Sequence, residues 1–315
     1  MVKMKRQKNI RLMFSLEGMA LPTKEKEEPS LAFGGQAVIE GVMIRSKKHM
    51  VVCVRQPNDE ILTNVKEIKS VSEKYRIARL PFLRGIVALC ETLYIGVQGL
   101  YLSANASLEE EEEKLGTKEI VLAVAIAMTL AIFLFSVLPF FLTSLLNFGG
   151  LIFNIVEGAI RLSILLLYLA LIASFGEFRR ILQYHGAEHT AINAYEAGAE
   201  LNVSDAREFS RFHPRCGTSF IFIVALISIL LFSIMPNLDF YTRLAYRILL
   251  IPVIGAISYE ALRLSDKYKK SKIMKVLISP GLGLQYLTTK KPDEKMIEVA
   301  LEAVKKVNEL AETMY

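Results

Sequence analysis

Hydrophobic residues are spread unevenly along this chain. Four stretches, at about 120–146, 158–178, 217–236 and 244–264, approach the roughly 20 apolar residues that a helix needs to cross a bilayer core. The last is the least clean, because Arg247 stands near its start and Glu260 near its end. A further helix is predicted at about 81–104, beginning at Pro81 in the manner of a first helical position. It carries Arg84 and Glu91 on one face of a mostly apolar, Gly-containing sequence, and is expected to lie in the interface or pack on the bundle.

The pattern before these segments is different. Val38 to Arg45, Met50 to Gln56 and Glu60 to Ile68 are rich in β-branched residues. Ser46-Lys47-Lys48-His49 and the turn Pro57-Asn58-Asp59 separate them, which predicts a small antiparallel meander. Gly34, Gly35 and Gly41 bracket its first strand. At the far end, Ser279-Pro280-Gly281-Leu282-Gly283-Leu284 reads as a turn, and a helix follows from about Pro292. Its apolar stripe, Ile297, Leu301, Val304 and Val307, must dock on something.

The predicted architecture is a membrane α-helical protein. It has about four transmembrane helices, a small N-terminal antiparallel β meander and a C-terminal amphipathic helix. In chain order this gives a charged, mobile tail at 1–30 and the meander at 31–80. An interfacial helix with the acidic linker Glu109–Glu113 occupies 81–118. A transmembrane domain at 119–278 contains a His/Cys loop at 179–216, and 279–315 is the C-terminal helical segment.

Charge adds an orientation. The net charge is +6 and the pI about 9.0. The loop between the second and third spans holds Arg179, Arg180, Arg207, Arg211 and Arg215. The stretch after the fourth holds Arg263, Lys267, Lys269, Lys270, Lys272 and Lys275. Lys and Arg collect on the cytoplasmic side of a membrane, so the His/Cys loop and both termini are expected there. A fifth span at 81–104 would place the basic N-terminus outside, which the same rule disfavours. Basic charge of this kind suits anionic lipid headgroups. The expected partners are therefore the lipid bilayer and other membrane proteins, not nucleic acid. The cysteines Cys53, Cys90 and Cys216 are odd in number and far apart, which argues against a disulfide framework. The basic N-terminus lacks a clean apolar run and a small-residue cleavage site, so no signal peptide is read.

The densest chemistry is His185-Gly186-Ala187-Glu188-His189, an H-x-x-E-H pattern and the inverted form of a zinc-protease motif. Histidines four apart share one helix face, where both imidazoles can reach one ion. If the second span continues as a helix through this region, Glu196 and Asn193 fall on the same side, with Glu188 flanking it. His213-Pro214-Arg215-Cys216 follows in the same loop. Three of the chain's four histidines lie there, and catalytic zinc commonly takes three protein ligands. His185, His189 and His213 would supply them, with Cys216 or Glu196 as substitutes for the third. Glu188 would be the general base, and Arg215 would stabilise an oxyanion or bind a phosphate. Cys216 could instead be a nucleophile or a small packing residue. Glu40, in the meander, could meet the metal loop or pair with Arg45 or another surface cation; the pairing is favoured.

Four segments together resemble a known family. They are Phe33-Gly34-Gly35-Gln36-Ala37-Val38-Ile39-Glu40-Gly41-Val42-Met43-Ile44-Arg45, Gln183-Tyr184-His185-Gly186-Ala187-Glu188-His189, His213-Pro214-Arg215-Cys216-Gly217-Thr218-Ser219-Phe220, and Pro280-Gly281-Leu282-Gly283-Leu284-Gln285 with Leu287-Thr288-Thr289. Over about residues 31–303 the chain is similar to the YqhQ-like family of bacterial membrane proteins. The resemblance implies a bacterial source and an integral membrane location. It also implies a domain of unknown function that is described as metal-dependent.

Two readings follow. One is a membrane protein with a Zn2+ site at the cytoplasmic face, hydrolysing a peptide or lipid. The other is a non-enzymatic factor for membrane-protein biogenesis, transport or scaffolding, whose His/Cys loop is structural.

Overall fold

The computed structural model describes residues 33–108, 116–235, 238–268 and 271–312. The charged tail read at 1–30 and the linker Glu109–Glu113 lie outside the described residues.

The meander forms with one more strand than the sequence pattern gave. β1 (Gly34–Val38), β2 (Gly41–Arg45), β3 (His49–Arg55) and β4 (Ile61–Glu67) pair in sequence order as one antiparallel sheet. The first predicted strand is the turn and second arm of a hairpin, because the chain reverses at Ile39-Glu40, where Glu40 has φ 50°. Gly41 follows because any Cβ there would collide with the Cys53 carbonyl on β3.

The central strands read as unbroken apolar runs because the sheet is covered on both faces. Val42, Ile44, Val51 and Cys53 face one way. They pack on α6 (Gly176–Glu196) and α12 (Glu294–Glu312). Val38, Met43, Met50, Val52 and Val54 face the other way, onto Ile95 and Ala106 of α2 (Leu83–Ala106). The stripe Ile297, Leu301, Val304 and Val307 docks as the pattern required, with none of the four more than 3% exposed. Asp293 caps α12 by accepting from the Met296 amide at 2.8 Å.

Before α2, a short helix α1 (Val71–Lys74) is held at its start by Glu91, which accepts from the Val71 amide at 2.6 Å. α2 then joins two regions. Its first turn pairs Arg84 with Glu260, and Gly85 lies against the backbone of Ala256. Its second half lies on the sheet, with Gly99 under Met43. It therefore packs on the bundle at one end and on the sheet at the other.

α3 (Thr117–Ile132) runs through a π turn at Phe133–Val137 into α4 (Leu138–Ser144). Pro139 explains the wider turn, since it has no N–H to continue the α pattern. α5 (Gly150–Ile172) follows. The predicted continuation of this helix into the His motif is corrected by a break at 173–175. The Ser174 hydroxyl takes the Leu171 carbonyl at 2.5 Å, Phe175 turns extended, and α6 begins anew at Gly176.

After the short α7 (Val203–Ala206) come α8 (Gly217–Ser233), α9 (Phe240–Leu249), α10 (Ile251–Lys267) and α11 (Lys272–Thr288). The turn read at Ser279–Leu284 is also corrected, because Pro280 and its glycines lie inside α11. Gly281 is there for packing: a Cβ would stand 2.7 Å from the Ser219 hydroxyl of α8.

Among the described residues, three helical runs are long and apolar enough to cross a membrane: Leu83–Ala106, Thr117–Ser144 and Gly150–Ile172. A fourth arises if α9 and the following helix, bent by 44°, form one broken span. α8 has only 17 residues, short of the span read at 217–236.

Candidate metal centre

Three donors converge where the start of α8 meets α6. The ligand atoms of His185, His189 and Cys216 all lie within 4.8 Å of one another and could hold a metal ion. The local sequence explains two of them. The i, i+4 spacing on α6 stacks the imidazoles with centroids 4.5 Å apart. Cys216 is the N-cap of α8, with its sulfur accepting from the Thr218 amide at 3.5 Å and hydroxyl at 3.3 Å.

The protons on both imidazoles are fixed by what they touch. His185 Nδ1 lies 2.7 Å from the Thr288 carbonyl, and His189 Nδ1 lies 2.7 Å from the Arg211 carbonyl. A carbonyl only accepts, so each Nδ1 carries hydrogen and donates. Each Nε2 is left with its lone pair directed toward the cluster, and His185 Nε2 is 3.2 Å from Cys216 Sγ. Anchoring one ring nitrogen on a carbonyl is how proteins orient metal-binding histidines.

The electrostatics point the same way. Burial lowers the pKa of His189, favouring its neutral, ligating form. Burial acts to raise the Cys216 pKa, but the neighbouring His189 ring and the hydrogen bonds from Thr218 outweigh it, leaving the thiol below its usual range. Glu188 is 5% exposed, and burial pushes its pKa up to about 8, with the Cys216 sulfur adding to the shift and His185 opposing it. Its Oε2 is buried and has no hydrogen-bond partner among the described residues. The carboxylate lies under β1, where a Cβ on Gly35 would collide with it.

The other residues singled out from sequence stand around this cluster. His213 is buried near it, its ring centroid 5.7 Å from that of His189. Its Nδ1 accepts from the Arg215 amide at 3.3 Å, and its Nε2 faces Glu196 at 3.5 Å. Both ring nitrogens are thus directed at protein groups, and Cys216 stands in the third-donor place. Glu196 pairs with Arg215, so carboxylate and guanidinium engage each other. Asn193 holds the loop by donating to the carbonyls of Ser210 at 2.7 Å and Phe212 at 3.1 Å. Glu40 pairs with a cation as favoured, but the cation is Arg180 of α6, and Tyr184 donates to the same carboxylate at 3.4 Å.

One positioning residue was invisible to pattern reading. Gln285, fully buried in α11, accepts from the His213 amide at 2.9 Å and donates to the His213 carbonyl at 2.8 Å. It reads the loop backbone as a strand would. Its signals in the sequence are a polar residue beside Leu284 and Leu287 and a place in the family segment that begins at Pro280.

Residues 80–310 match the family model described as "Protein of unknown function (DUF1385)". The chain belongs to the DUF1385 family. It is 34% identical over 300 residues to "Uncharacterized protein YqhQ" of Bacillus subtilis (strain 168), covering 89% of this chain and 93% of that protein. No solved structure matches. The DUF1385 match includes the whole His/Cys cluster and both of its carbonyl anchors, Thr288 of α11 and Arg211 of the loop before α8, but not the sheet that covers Glu188.

Proposed function

We propose that the protein is a zinc-dependent hydrolase of the membrane surface, acting on a peptide or a lipid ester. The observation that carries this reading is the pair of Nδ1–carbonyl hydrogen bonds, which leaves two Nε2 lone pairs facing Cys216 Sγ. Imidazole and thiolate are both zinc donors, and a site of three protein donors keeps a fourth position open. A zinc ion there would polarise a substrate carbonyl and bring the pKa of water to about 7. The protein's own part is acid–base work. Burial pushes the Glu188 pKa up to about 8 without an ion; a cation beside it would favour the carboxylate, which would take a proton from the attacking water and return it to the leaving group. His185 is half-buried, so substrate would approach from its side. Arg215 is committed to Glu196 and is assigned to holding the loop.

One observation favours a second reading, a closed structural centre. The orphaned Glu188 Oε2 could itself be a fourth ligand, closing the site and tying α6 to α8 beneath β1 in a non-enzymatic membrane factor. Glu188→Gln separates the two. In the hydrolase it retains about one zinc per chain and abolishes complementation of a deletion strain. Full complementation with zinc retained removes the base, and zinc loss makes Glu188 a ligand.

A further inference from the structure

The helical bundle holds a second buried polar cluster, at the opposite end of α5 and α8 from the His/Cys donors. Glu157 and Arg161 lie one turn apart on α5, and Arg247 comes from α9. Arg247 is fully buried. Its Nε lies 3.1 Å from Glu157 Oε2, and its Nη2 donates to Glu157 and, at 3.1 Å, to Asn154 Oδ1. Arg161 donates to the same carboxylate at 2.6 Å and to Ser228 at 2.7 Å. One carboxylate therefore serves two guanidiniums, and neither can give up its proton. The faces of Phe140 and Phe232, at 4.7 and 4.6 Å from Arg247, offset part of the excess charge. Arg247 Nη1 is buried and has no hydrogen-bond partner among the described residues.

A cavity of about 230 Å³ adjoins this cluster. Arg247, Arg243, Asn154, Ser233, Phe232 and Gly150 line it. Gly150 is the first residue of α5, with open space where a side chain would stand. The cavity thus combines a fully buried guanidinium with an unused donor, a second arginine, and the amide end of a helix that favours negative charge.

We propose that this cavity is an oxyanion site for a phosphate group. The phosphate completes the charge that Glu157 leaves uncompensated. Two sources share this chemistry, a phospholipid headgroup and free inorganic phosphate. The lining residue Leu151, 59% exposed, would accompany acyl chains and so favour the headgroup.

The test is thermal unfolding of the delipidated full-length protein in a neutral maltoside detergent. Inorganic phosphate, dihexanoyl-phosphatidylglycerol and sodium chloride are titrated at matched ionic strength. The site predicts a saturable rise in Tm with phosphate or with the lipid. A response to the lipid alone assigns the headgroup, and a response to phosphate alone assigns the free ion. Arg243→Gln, which leaves the Glu157 network in place, should weaken the apparent affinity about tenfold, the loss expected for one charged hydrogen bond. Asn154→Leu should weaken it as well, should the first variant fold poorly. His189→Ala, at the other end of the bundle, should respond like the wild type. The proposal is overturned if neither anion exceeds the chloride control, or if wild type, Arg243→Gln and Asn154→Leu share one midpoint.

Discussion

The His/Cys cluster and the Glu157–Arg247 cluster are both buried, and their unmet needs have opposite sign. At the first, two imidazoles show lone pairs to a thiol whose pKa is lowered, and a carboxylate oxygen lacks a partner. That centre is short of a cation. At the second, two guanidiniums share one carboxylate and a buried N–H lacks an acceptor. That centre is short of an anion. Burial alone does not say what a polar site binds; the kind of group left unpaired does. A lone pair without a donor asks for a metal or a proton, and an N–H without an acceptor asks for an oxyanion.

The comparison breaks most visibly at Glu157. Glu157→Leu leaves Arg161 and Arg247 buried without their carboxylate, which should cost about 3–5 kcal/mol and lower the Tm in detergent sharply. Adding Arg247→Met should recover part of that loss. An unchanged Tm in the single variant would mean that the guanidiniums are already neutralised by something else.

A smaller effect is expected where α6 meets the segment after α11. In Gly186→Ala the new methyl collides with the Lys290 carbonyl, which follows the Thr288 carbonyl that anchors His185. A loss of about 1–3 kcal/mol is expected from overpacking, together with weaker metal binding. Weaker folding with unaltered metal affinity would show that the Thr288 anchor is dispensable.

Glu188 sharpens the contrast through pH. An unfolded chain ionises this carboxyl near 4.5, whereas in the metal-free folded state it stays protonated to about 8. Between those values the folded state binds the extra proton, so its contribution to stability falls as pH rises and levels off above about 8. Glu188→Gln removes the dependence. The Tm of the metal-free variant should therefore gain on that of the wild type as pH climbs through this window. Parallel pH profiles would show that the carboxyl is hydrated.

Glu40→Gln should have the smallest effect. Its pair with Arg180 is partly exposed, worth at most about 1 kcal/mol, and metal content should not change.

Local signals were legible in the sequence, and path-dependent ones were not. The histidine pair needs only helical spacing, and the α12 stripe needs only an amphipathic period, so both were found. The third donor was narrowed to His213, Cys216 or Glu196, and no spacing rule chooses among them. Asn193 and Gln285 hold the loop so that Cys216 caps α8 beside the imidazoles while His213 turns toward Glu196. The carbonyls that set both tautomers belong to Thr288 and Arg211, and a backbone oxygen has no sequence signature. Pro280 and its glycines resemble a turn, yet lie in a helix, where Gly281 lets α8 approach at Ser219. Arg247 and Glu260, which made the last span look flawed, each have a partner distant in sequence, Glu157 and Arg84.

X-ray absorption at the zinc edge of the purified protein tests the metal centre most directly. The account predicts about one zinc per chain with two nitrogen ligands at about 2.0–2.1 Å and one sulfur ligand at about 2.3 Å. Cys216→Ser should lose the sulfur signal, and His213→Ala should keep the full spectrum. A wild-type protein that takes up no zinc, or a spectrum with three nitrogens and no sulfur, would contradict it.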